Sequence, residues 1–194
     1  MDHEPRDDRR CPVRVGRAGI RVTLLDAART DYRVATALHE AGHAVAYLSI
    51  GREFEYLSAA DWQLVGKGQA IDAWDRAVTA MAGPAVESIM YHAGRGGDTE
   101  IYGWIVDQLH QQREFAEAEP GDEPDDYIHA GPYAEAALPV ALATVTSSWE
   151  DIERIAAAAL NTQRLTYDEV RRLTAGGRSL AEDVSRWQAI AEQG

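Results

Sequence analysis

The chain has 194 residues, 45% of them hydrophobic, and a formal net charge of −13. That length supports one domain with a sizeable core, and so acidic a surface repels nucleic-acid phosphates and anionic membranes, so neither is expected as a partner. The single cysteine, Cys11, leaves no internal disulfide and fits a cytoplasmic setting. No secretory leader, no apolar run of about 18 residues and no Gly-rich phosphate-binding loop is expected from the sequence.

Residues 1–19 mix arginine and aspartate with Pro5, Pro12, Gly16 and Gly19, and read as a flexible tail ahead of a single domain over 20–194. Ile20 to Leu25 reads as a short strand or lead-in. A helix is predicted from Thr30 or Asp31, both good N-caps, to Ile50, with Gly51 as its stop. Phe54, Tyr56 and Leu57, then Leu64 and Val65, predict two short strands joined by a turn. The strand over 54–58 offers an edge on which an extended peptide could pair, which makes Phe54, Tyr56 and Ser58 candidate substrate-binding residues.

A second long helix is predicted over Asp72–Tyr91, striped by Trp74, Val78, Met81 and Ala85, with a kink or restart at Gly83-Pro84. After Gly94, Gly96 and Gly97, Asp98 sits as an N-cap for a third helix reaching about Phe115. Residues 114–130 read as a solvated acidic loop, with seven carboxylates between 114 and 126 beside Pro120, Gly121 and Pro124. One helix is predicted from Tyr133 to Thr162. Thr166 and Glu169 form a capping box for a short helix over Tyr167–Thr174, and Ser179–Glu192 is a last helix. The five tryptophans read as core or interface. The pattern is mainly α (α+β), with a small β-hairpin beside the first long helix.

Within that helix, residues 38–45 read Leu-His-Glu-Ala-Gly-His-Ala-Val. His39 and His43 lie four residues apart, so their imidazoles share one helix face and can bind one Zn2+ ion. Glu40 can reach a water at the metal's open position and take its proton. Apolar neighbours raise the cost of leaving these three side chains without a partner.

His39-Glu40-Ala41-Gly42-His43-Ala44 resembles the zinc helix of the FtsH-type metallopeptidases. Met81-Ala82-Gly83-Pro84-Ala85-Val86-Glu87 resembles that family's Gly-Gly-Arg-Ala-Ala-Glu helix, with Pro84 in place of the arginine. Gly97-Asp98-Thr99 resembles its Asn-Asp-Leu segment, and Trp149 through Val170 its closing helices. The likeness spans about residues 31–174. It implies a helical, zincin-like metallopeptidase domain, here without the family's ATPase and membrane segments. It also implies Asp98 as third zinc ligand; among the nearby carboxylates, Asp107, Glu100 and Glu87 are the alternatives. Glu87 suits a supporting role better, accepting an N–H from His39 or His43.

The function expected on this basis is ATP-independent zinc metallopeptidase activity on a peptide or unfolded segment, with Glu40 as general base. The alternative is a catalytically weak or inactive zinc-binding module with a regulatory or binding role. His92, His110 and His129 lack partners at ligand spacing and are not assigned. Oligomeric state is left open.

Overall fold

The computed structural model describes residues 24–68, 71–92, 97–118, 126–174 and 181–192, so the expected 1–19 tail lies outside the described residues. Leu24–Ala28 is a short helix, α1, so Leu24 and Leu25 are helical, and the rest of the strand or lead-in expected over 20–25 lies outside the described residues. The long helix α2 runs Tyr32–Ser49, and the Asp31 carboxylate caps it by accepting from the Arg33 N–H at 2.9 Å. Gly51, at φ 68, ends the segment in the left-handed region open to glycine.

Strands β1 (Phe54–Ser58) and β2 (Gln63–Gly66) form the expected antiparallel hairpin. A third strand, β3 (Leu165–Thr166), pairs antiparallel with the other side of β1, giving the order β2-β1-β3. Two residues before a helix were too short a run to register as a strand in the sequence. Their pairing makes β1 the central strand and leaves β2 at the edge.

Helix α3 (Ala73–His92) continues through Pro84, so the chain does not restart there, and the turn around Pro84 is buried. α3 packs against α2, against α4 (Asp98–Ala118), α5 (Asp126–His129) and α6 (Ala134–Ser147). A small residue lets α2 and α3 approach closely where Gly42 meets Ala82 and Val86. A Cβ at Gly42 would lie 2.6 Å from Val86 Cγ2 and 2.9 Å from the Ala82 carbonyl oxygen. Leu38, fully buried on the same helix, contributes roughly 1.5–3 kcal/mol by its burial.

The predicted 133–162 helix is two helices, α6 and α7 (Trp149–Ala159), separated at Ser148. The hydroxyls of Thr144, Thr146 and Ser147 donate to carbonyls four residues back, at 2.7–2.8 Å, and such bonds compete with the regular ladder. The Thr166–Glu169 capping box opens α8 (Tyr167–Leu173) as expected, and α9 (Ala181–Ala191) buries Trp187. Two other tryptophans lie outside the core: Trp62 is 55% exposed and Trp74 41%. The acidic stretch is helical at both ends, since α4 extends to Ala118 and α5 begins at Asp126; residues 119–125 lie outside the described residues. No helix among the described residues is long and apolar enough to cross a membrane.

Candidate metal centre

α2 presents His39 and His43 one turn apart toward α3, and α3 fixes both rings from behind. The His43 Nδ1 lies 2.7 Å from the Thr79 carbonyl oxygen, which can only accept, so Nδ1 carries the proton. The His39 Nδ1 lies 2.9 Å from Glu87 Oε1, and a carboxylate likewise fixes the proton on that nitrogen. Glu87 thus stands where the sequence reading put it, behind a histidine. The lone pairs of both neutral rings are then at Nε2.

Those two Nε2 atoms are 3.0 Å apart. Asp126 Oδ2 stands 2.9 Å from His39 Nε2 and 3.2 Å from His43 Nε2. Three acceptors converging at this distance repel one another unless a proton or a cation lies among them. Ligands 2.0–2.1 Å from a tetrahedral zinc stand about 3.3 Å apart, close to this spacing. Gly83 keeps the adjoining space open, because a Cβ there would lie 2.4 Å from His39 Nε2 and 2.5 Å from His43 Nε2. Among the described residues, His39, His43 and Asp126 form the group able to hold a metal ion.

The carboxylate joining the histidines is therefore Asp126, and the expectation for Asp98 is corrected. Asp98 opens α4 and accepts from Arg186 Nε at 2.6 Å, so its charge is taken by an arginine of α9. The alternatives fare no better as direct ligands. Glu100 accepts from the Gly97 N–H at 2.8 Å as a cap, and Asp107 is exposed. Asp126 escaped the sequence reading because it ends an acidic run in which no spacing marks one carboxylate from another. The Thr79 carbonyl carried no sequence signal either, and Gly83 stood out only as a break position and within a resembling motif.

Charge balances tightly here. Burial pushes His39 down, but hydrogen bonds and charge from Asp126 and Glu87 outweigh it and hold the imidazole well above its usual range. Burial opposes protonation of His43 as well, and the Asp126 charge again reverses it. Burial pushes Asp126 up, yet the two imidazoles drive its carboxyl far below the usual carboxylate range. Glu40 moves the other way: burial raises it, with the histidines opposing. Glu40 is only 5% exposed, lines the same cleft, and has no hydrogen-bond partner among the described residues.

The centre opens into a cleft of ≈ 920 Å³ bounded by α2, α3, α5 and β2. Strand β2 contributes Gln63 and Leu64 to its lining. The expected substrate-binding residues of β1 do not reach it. Phe54 is buried in edge contact with the Tyr47 and Tyr167 rings. Tyr56 lies under Arg164 at 4.1 Å and accepts from Gln63 Nε2. Ser58 is buried and bonded to Asp61. Both sides of β1 are already paired, which removes it as a docking edge. His129, unassigned from sequence, lines the cleft one turn after Asp126, together with the exposed Tyr32 and Trp62.

No protein-family profile matches the chain, and no curated protein is similar enough to it to be matched.

Proposed function

We propose that the protein is a zinc-dependent peptidase in which His39, His43 and Asp126 hold the metal and Glu40 is the general base. The observation that carries this reading is the convergence of three acceptor atoms on a pocket kept clear by Gly83, with an untethered glutamate beside it. Zinc, when bound, supplies Lewis acidity that lowers the pKa of a water and polarises a carbonyl. Glu40 is suited to take the proton of the attacking water and hand it to the leaving amine, since burial raises its basicity and no ion pair ties it down. Glu87 and the Thr79 carbonyl hold the two rings in the tautomer that leaves Nε2 free. The free edge of β2 reaches the cleft through Gln63 and Leu64, and suits an extended polypeptide.

The fold this implies is the helical, zincin-like arrangement that the resemblance to FtsH-type peptidases suggests. The experiment is elemental analysis beside cleavage of an unfolded polypeptide. About one zinc per chain is expected in the wild type and in Glu40→Gln, with cleavage lowered by about 10²–10⁴ in the variant. Full cleavage by Glu40→Gln would overturn the assignment. Zinc retained without cleavage in the wild type would leave a metal-binding regulatory module.

A further inference from the structure

Five large hydrophobic side chains are exposed among the described residues, and three of them, Tyr32, Trp62 and Tyr91, line the metal cleft. Exposed apolar surface gathered at one site marks a place of contact, whereas single scattered residues do not. Tyr32 and Trp62 come from different elements, yet their ring centroids are 4.4 Å apart with planes at 55°. Both rings stay largely open, Tyr32 at 59% and Trp62 at 55% exposure.

The backbone beneath Trp62 is unusual. It has φ 58, the one positive φ outside glycine among the described residues. The hairpin loop between Ser58 and Gln63 closes through this left-handed residue, a position where glycine or asparagine costs least. A bulky aromatic there is strained, and such strain clusters where a side chain serves recognition. This turn leaves the indole against the Tyr32 ring and out of the core.

We propose that Tyr32 and Trp62 form an aromatic platform that selects polypeptide segments carrying a bulky apolar or aromatic side chain; the inference rests on the peptidase reading of the same cleft. Tyr32 lies seven residues before His39 on α2, so the two share a helix face about 10 Å apart. An extended chain covers that span in about three residues. Trp62 directly precedes Gln63 and Leu64, the two edge-strand residues that line the cleft. A segment paired with β2 would therefore pass the platform on its way to the metal, and the scissile bond would fall about three residues from the selected side chain.

The test uses the zinc-loaded Glu40→Gln protein, which should bind peptide without cutting it. Fluorescence anisotropy would compare two short extended peptides differing only in one central Phe or Ala. The Phe peptide should bind about tenfold more tightly. Trp62→Gly and Tyr32→Ala should each cut that preference to about threefold or less, while Trp62→Phe keeps it. Glycine also relieves the left-handed backbone, so the thermal midpoint of Trp62→Gly should hold or rise. Equal affinity for both peptides, an intact preference in Trp62→Gly, or a marked fall in its midpoint would overturn the proposal, the last by making the ring pair structural. Preference for Phe without cleavage by the wild type would defeat the peptidase reading and leave the platform standing. Cleavage without that preference would do the reverse.

Discussion

Glu87 Oε1 meets His39 Nδ1 at 2.9 Å, across the contact between α3 and α2, and this one bond decides which nitrogen of His39 faces the cleft. With the proton fixed at Nδ1, Nε2 presents its lone pair to the pocket shared with His43 and Asp126. A ring without that partner would rotate and sample the other tautomer. Glu87→Ala should therefore weaken zinc binding by about 10–100-fold while leaving one site per chain. Competition titration against a chelating dye reads the affinity. An unchanged value would show that the ring is oriented by packing alone.

Asp126 and Asp98 separate two accounts of the third ligand. Asp126→Asn replaces the carboxylate 2.9 and 3.2 Å from the two Nε2 atoms by a neutral amide, and zinc affinity should fall by about a hundredfold or more. Asp98→Asn removes the ion pair with Arg186, an exposed contact with about 0–1 kcal/mol at stake, and zinc affinity should be unaltered. The opposite pattern would restore Asp98 and remove Asp126.

The contrast between these two aspartates marks how far the sequence could be read. His39, Glu40 and His43 were legible because helical periodicity alone places them, and Glu87 because it lies on the next amphipathic helix. The hairpin and the Thr166 capping box were legible for the same local reason. The link between Asp126 and the histidines spans more than eighty residues and depends on how α5 packs on α3, which no local pattern encodes. β3 was missed because two residues gain strand character only by pairing with β1. Its pairing, in turn, closed β1 as a docking edge for Phe54, Tyr56 and Ser58 and left β2 at the side of the sheet.

Gly83 offers a test of the pocket that leaves every ligand in place. On helix propensity alone, Gly→Ala in α3 gains about 1 kcal/mol. The added Cβ, however, would lie 2.4–2.6 Å from Nε2 and Cε1 of His39 and Nε2 of His43. Both rings are tethered at Nδ1, so they retreat only by giving up those bonds. Gly83→Ala should keep a helical spectrum, with a metal-free thermal midpoint lowered by no more than a few degrees, yet bind zinc at least about tenfold more weakly. Normal zinc content and affinity in a folded Gly83→Ala protein would place the metal away from the Nε2 atoms.

Acid should release the metal, and the thermal midpoints should show it. In the metal-free protein His39 and His43 titrate above their unfolded value of about 6.5, because Asp126 and Glu87 outweigh the cost of burial. Their contribution to stability is fully present below that value and is lost as pH rises through the raised one. Asp126 titrates below its unfolded value of about 3.9, so its contribution is present above that pH and fades only in stronger acid. The metal-free cluster is thus best satisfied between about pH 4 and 6.5. Zinc requires both Nε2 atoms without protons, and its binding should strengthen by about one decade per pH unit for each proton displaced. The gap between zinc-loaded and metal-free midpoints should be small near about pH 5.5 and widen steadily toward about pH 8.5. Differential scanning calorimetry across that range reads both curves, and a gap that stayed constant would mean that zinc does not displace protons from His39 and His43.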